Sequence, residues 1–153
     1  MASPFPFTSG QVLTAAQLNS IGEATAFTPS WGAALTVGNA TESWHYLQVN
    51  EWLYFAGATT LGSTSSVTGF FSFDFPIGTQ LTAAFVPAGF ADYLSVSTGQ
   101  VFRGSIDQNG DNIRFFVNQV SGSNVIKTPT SATLPLSWAT GDIIRASGAV
   151  LLA

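Results

Sequence analysis

The chain reads as an all-β protein: an antiparallel β-sandwich of the jelly-roll kind, preceded by an extended N-terminal arm and one short helix. Three observations predict this. From Ala33 onward, short runs rich in Val, Thr, Phe, Tyr and Trp alternate with Gly, Asn, Ser and Asp clusters, at the spacing of about ten residues expected of strands and tight turns. Within several runs the side chains alternate between two faces, as a pleated strand requires. The third observation is that only one stretch, Phe7 to Ile21, carries a convincing helix signal.

Residues 1–6 (MASPFP) are punctuated by proline, which removes a donor and biases its predecessor away from helix, so they read as an extended arm. In the helix that follows, Thr14 is placed to cap the first turn and Gln17 to complete a capping box, with Leu13 and Leu18 at the staple positions. Leu18 and Ile21 share a face, and Gly22 can turn the chain left-handed after the last turn. A helix of about two turns does not hold itself in water, so its apolar face must dock on something. That something is either a larger assembly, which makes the helix an anchor, or one end of the chain's own β core. Phe7, Val12, Leu13, Leu18 and Ile21 are the candidate docking or trimer-contact residues. Glu23 to Trp31 reads as a connector with a turn at Thr28-Pro29-Ser30 and with Phe27 and Trp31 as apolar pins. The expected division is therefore 1–31 as arm, helix and connector, and 32–153 as the β-sandwich head.

Within the head, Ala33 to Val37 ends at Gly38-Asn39. Ser43 to Val49 and Glu51 to Ala58 flank a tight turn near Asn50 and make the clearest hairpin, with Trp44, Tyr46, Trp52 and Tyr54 expected on one face. Leu61 to Ser65 reads as a loop, and Val67 to Phe75 as a strand that puts Phe71, Phe73 and Phe75 on a shared face. A turn at Pro76 to Gly78 leads to strands near 81–86, 90–96 and 100–106. Asp107 to Asn112 turns into Ile113 to Val120, and Ser121 to Asn124 into a short strand at Val125 to Lys127. The last strand places Ile143, Arg145, Ser147, Ala149 and Leu151 on one face and Ile144, Ala146, Gly148, Val150 and Leu152 on the other. Both faces of its second half are apolar, so it is expected to end buried.

Composition narrows the function. Only 8% of the 153 residues are charged, against roughly 25% in an average soluble domain, and mean hydropathy is +0.31. So poorly charged a surface is expected to be covered by copies of itself or by a larger assembly. A membrane span is not expected, because the most apolar stretch, Ile143 to Ala153, is broken by Arg145, Ser147 and Gly148 and is too short. No basic residue precedes the first apolar ones, so a secretory signal is not expected either. A net charge of −4, with Arg103, Arg114, Lys127 and Arg145 scattered singly, argues against nucleic acid as a partner.

The residues that usually carry chemistry are sparse. There is no cysteine, which excludes thiolate catalysis and zinc ribbons. His45 is the one histidine, and no serine sits at a strand-to-helix elbow to pair with it. The eight carboxylates are dispersed, and none of their spacings nominates a pair facing one cleft. Asp107-Gln-Asn109-Gly-Asp111 opens like a calcium loop, but Asn112 and Asn118 stand where glycine and glutamate belong, so it reads as a hairpin tip. Asn39-Ala-Thr41 has the form of a glycosylation acceptor and reads as a turn. No enzyme activity, cofactor or metal is expected. The aromatic set Trp44, Tyr46, Trp52 and Tyr54 carries more weight, since such rings either stack on sugar faces or fill the core between two sheets.

The phrase FTSGQVLTAAQLNSI resembles the opening of many tailed-bacteriophage tail-fibre and minor tail proteins, in which a GQVLTAAxLN segment precedes a β module. The similarity continues in order through FTPSW, LTVGNA, YLQVNEWLYFAGA, LGSTSSVTG with FSFDFP, and LSWATGDIIRASGAVLL, and so covers nearly the whole chain. It departs at Asn50, where the pattern has glycine, and at Val150-Leu151-Leu152, where the pattern leads into an aromatic. The resemblance implies a virion structural protein made in the host cytoplasm and carried on the particle surface. It implies a homotrimer fixed to other tail or capsid proteins by its N-terminus, with an outward β-sandwich head. Two placements stay open: a tail fibre or tail-tip knob whose loops at Leu61–Ser65, Asp107–Asn112 and Ser121–Asn124 touch a host glycan, or a capsid decoration or head-fibre protein that stabilises the shell. A carbohydrate-active enzyme on a β-sandwich is the third.

Overall fold

A computed structural model describes the chain at residues 12, 14, 23–49, 51–75 and 86–152. There it is all β, with every pairing between strands antiparallel. In chain order the strands are β1 Thr25–Phe27, β2 Ser30–Trp31, β3 Leu35–Thr36, β4 Thr41–Val49, β5 Trp52–Thr60, β6 Ser66–Val67, β7 Ser72–Asp74, β8 Val86–Leu94, β9 Val101–Asn109, β10 Asn112–Ser121, β11 Asn124–Pro129 and β12 Ile143–Leu151. The predicted helix over Phe7 to Ile21 lies outside the described residues apart from Val12 and Thr14, and so do the turn at Pro76 to Gly78 and the start of the strand expected near 81–86.

Ten strands form one sheet in the order β1-β4-β5-β12-β8-β9-β10-β7-β2, with β11 added beside β10, while β3 and β6 make a small separate pair. The two ends of the large sheet, β1 and β2, are separated in sequence only by Thr28 and Pro29, so the sheet must curl until its ends meet. Trp31 fastens the seam: from β2 its Nε1 donates to Glu42 Oε1 on β4 at 2.6 Å, and its ring meets Trp44 at 6.0 Å and Phe115 at 5.6 Å. Residues 25–31, expected to belong to the anchor, are thus integral to the sheet, and the boundary at 31/32 is corrected accordingly. They lie there because Phe27 and Trp31 find their burial inside the curl.

The curl's inner face packs on itself and gives a sandwich-like core. Phe73 on β7 reaches Trp44 on β4 at 5.3 Å and Phe55 on β5 at 6.1 Å, although neither strand is its neighbour in the sheet. Phe71, Phe73 and Phe75 are all buried, as their alternation predicts, although only Ser72–Asp74 pairs as a strand. The closing strand β12 lies between β5 and β8 with Ile144, Ala146 and Val150 buried and Leu152 buried just beyond it, whereas the second face expected to be buried stays half-exposed at Ala149 and Leu151, which point outward. Two glycines are required by close approach. The Trp44 indole lies over Gly57, where a Cβ would sit 2.3 Å from the ring. Tyr93 on β8 crosses β9 above Gly104 to donate its hydroxyl to Phe116 O on β10 at 2.9 Å. Burial, with the nearby Asp92 charge, pushes the Tyr93 phenol far above its ordinary range, so it stays a donor.

Three further expectations are corrected. The strand expected at 90–96 starts earlier, within the single strand Val86–Leu94, which absorbs an irregularity at Pro87–Gly89. The turn expected over Asp107 to Asn112 is present but shorter: β9 runs to Asn109, Gly110 and Asp111 form the hairpin tip, and β10 starts at Asn112, because Asp107 and Gln108 are buried and paired in register with β10. The strand beginning near Val125 extends over Asn124–Pro129 because it pairs with β10 along its whole length.

Candidate functional surface

The pleat sends one set of side chains into the core and the other outward, and the outward set is unusual. Register places Trp52 between Val49 on β4 and Leu151 on β12, and Tyr54 between Leu47 and Ala149. In the next row Ala56 lies between His45 and Ser147, and Ser147 faces Phe90 on β8. Trp52 is 47% exposed, Tyr54 49% and Phe90 73%. An aromatic side chain offers about 150–250 Å², so these three alone present roughly 350 Å² of accessible ring. With Val49, Leu47 and Leu151 beside them, the band exceeds the scattered single apolar residues of an ordinary surface. His45, Leu47, Tyr54 and Ala56 also line a shallow depression of about 230 Å³.

The four aromatic residues predicted on one hairpin face divide two and two. Trp44 and Tyr46 are in the core and Trp52 and Tyr54 are outside. A strand starting at Glu51 would pair Tyr46 with Tyr54. Instead Val49 pairs with Trp52, so Tyr46 faces Phe55 and the parity reverses. Trp44 and Tyr46 are therefore corrected from possible glycan contacts to core residues. Trp44 Nε1 donates to the buried Thr59 Oγ1 at 2.9 Å, which holds the indole inside. Phe90 was missed. The signal that could have found it is the alternation along Phe90–Leu94, where Phe90 shares the face of the charged Asp92 opposite the buried Ala91 and Tyr93.

Of the predicted docking residues, Val12 is 85% exposed, while Phe7, Leu13, Leu18 and Ile21 lie outside the described residues. Of the three predicted contact loops, the segment between β5 and β6 contains Leu61–Ser65 with Leu61 buried, and the turn between β10 and β11 leaves Ser121–Asn124 exposed. The third is confined to the hairpin tip at Gly110 and Asp111, since Asp107 is buried in β9 and its Oδ2 is ion-paired with Lys127, whose ammonium also lies 4.3 Å from the centre of the Phe116 ring. Asp92 and the exposed Arg103 pair at 3.3 Å on the outer face, an ion pair of small energetic weight in water. Among the described residues no three His, Asp or Glu side chains converge as metal ligands would. No helix among them is long and apolar enough to cross a membrane.

No protein-family model, curated protein or solved structure matches the chain.

Proposed function

We propose that the chain is a structural protein of a tailed-bacteriophage particle, in a tail fibre or tail-tip knob. In this reading it assembles with copies of itself into a homotrimer, docks on other virion proteins through its N-terminal segment and contacts the host surface. The observation that carries the reading is the apolar band Val49–Trp52–Leu151 and Leu47–Tyr54–Ala149, with Phe90 beyond Ser147 in the next row, on a chain with only 8% charged residues. Burying such a band between subunits removes apolar area from water at about 25 cal/mol per Å² and relieves the solubility problem that the composition poses. The resemblance of the chain's phrases to tail-fibre and minor tail proteins supplies the particle and the trimer, and sparse chemistry leaves binding rather than catalysis as the work of the fold.

Native mass spectrometry tests the assembly. A trimer is expected for the parent, shifted to monomer in Trp52→Ser with Tyr54→Ser while the far-ultraviolet circular dichroism is kept. A parent that is monomeric at micromolar concentration refutes the assembly, and immunogold labelling that finds the chain on no particle refutes the virion role. Label on the capsid rather than the tail would favour the decoration role over the fibre.

A further inference from the structure

At one end of the sandwich, the loop after β5, the start of β6 and the run 131–142 come together. Hydrogen bonds make this end rigid. Asn39 Oδ1 accepts from Thr64 N and from Thr64 Oγ1, each at 2.9 Å. Gly62 N donates to Ser65 Oγ at 2.9 Å, and that hydroxyl donates to Val37 O. Gly141 N donates to Leu61 O at 2.8 Å and Leu61 N to Asp142 O at 2.9 Å. The Asp142 carboxylate, buried, accepts from Val96 N at 2.9 Å and Ala139 N at 2.8 Å. Trp138 donates its Nε1 to Ser131 O at 2.9 Å, and its indole meets the rings of Phe71 and Tyr93 edge to face at 5.5 and 5.9 Å, which fixes its plane.

These segments border a half-open cavity of about 280 Å³ whose lining includes Leu61, Ser65, Ser66, Ala132, Trp138 and Thr140. Among the described residues no charged side chain lines it. That decides the chemistry of an occupant. An ion would leave water with no counter-charge to meet it, and a purely apolar molecule would strip water from the Ser66 hydroxyl and from the acceptor side of the Thr140 hydroxyl, whose proton goes to Gly62 O at 3.4 Å, without replacing it. A hydroxyl both donates and accepts, and an indole offers a flat apolar surface. A pyranose ring is their complement, with hydroxyls around its edge and an apolar C–H face. The volume lies at the small end of ligand pockets, the size for one sugar residue rather than a long chain.

We propose that this cavity between the β5–β6 loop and the 131–142 segment binds a neutral saccharide, with the Trp138 indole as the packing surface and Ser66 and Thr140 as hydrogen-bonding groups. The inference takes up the host-contact part of the proposed function and rests on that reading for its biological purpose, but the two fail separately. A monomer that binds sugar overturns the assembly and keeps the site, whereas a trimer that binds none does the reverse.

The test is saturation-transfer difference NMR on the full chain with glucose, galactose, mannose, rhamnose and N-acetylglucosamine, and with N-acetylneuraminic acid as the charged comparison. At least one neutral sugar is expected to give a saturable signal, with the acid giving none. Ala132→Phe, at an exposed position on the cavity wall, is expected to abolish it with an unchanged melting curve. Ser66→Ala with Thr140→Ala is expected to weaken binding at least tenfold and serves should the phenylalanine disturb the fold. Trp52→Ala, on the outer band, is expected to leave the signal intact. Absence of a saturable signal with all five neutral sugars overturns the proposal. So does a signal that survives both cavity variants or disappears in Trp52→Ala.

Discussion

Trp44 and Trp52 sit eight positions apart on one hairpin and differ chiefly in which way the pleat points them, so truncating each measures burial with chemistry held constant. Trp44 is 1% exposed, contacts Phe27, Trp31 and Phe73, and donates to the buried Thr59 hydroxyl. Replacing it by Ala removes a ring from a closely packed core and leaves a cavity, at a cost of about 3–5 kcal/mol. For a chain of this size each kcal/mol lowers Tm by about 2–4 °C, so a fall of roughly 6–20 °C is expected. Trp52 is 47% exposed, and Trp52→Ala should cost no more than about 1 kcal/mol, a shift of a few degrees. Circular-dichroism melts read the difference, provided parent and variants are compared in the same oligomeric state, because subunit binding adds its own stability. A Trp52→Ala protein that melts as early as Trp44→Ala would refute the assigned parity, and so would a Trp44→Ala protein that melts with the parent.

Two further perturbations probe the packing. Gly57→Ala places a Cβ 2.3 Å from the Trp44 ring and 2.6 Å from Ser43 O, so a loss of about 1–3 kcal/mol is expected in urea denaturation, and Trp44→Leu in the same chain should recover part of it. Tyr93 gives a pH dependence whose sign is fixed. Its phenol stays protonated in the folded state while the unfolded phenol ionises near pH 10, so the unfolded state binds fewer protons above that point. Stability from this group is complete below about pH 10 and falls above it by up to about 1.4 kcal/mol per pH unit. Urea midpoints measured from pH 9 to 11 should show a steeper fall for the parent than for Tyr93→Phe. Equal slopes would mean that the phenol does not resist ionisation.

The alternation along Ile143–Leu152 and the run Phe71, Phe73, Phe75 determined which side chains enter the core, because in a strand the facing of each residue follows from the pleat and from nothing further away. The spacing of turn residues determined the all-β class for a similar reason, since turn chemistry acts over a few residues. The relation between Tyr46 and Tyr54 could not be read in the same way. It depends on how many residues the hairpin turn spends, and a slip of one exchanges core for surface. Nor could the chain order disclose that β1 and β2 lie at opposite ends of one sheet, with Trp31 reaching from β2 to Glu42 on β4, because closure of a curl depends on all the strands between. Asp107 carries the same lesson. Its neighbours Asn109, Gly110 and Asp111 have the composition of a turn, yet its own carboxylate is buried because β10 pairs with it and Lys127 on β11 meets it. The saccharide cavity depends most on the tertiary structure. Ser66 lies on one segment and Trp138 and Thr140 on another some seventy residues beyond it, and only packing at one end of the sandwich makes them neighbours. The sequence by itself determined what each strand would bury, because that is a local property of the pleat. Which residues meet across the fold was decided by the tertiary structure, through register and closure.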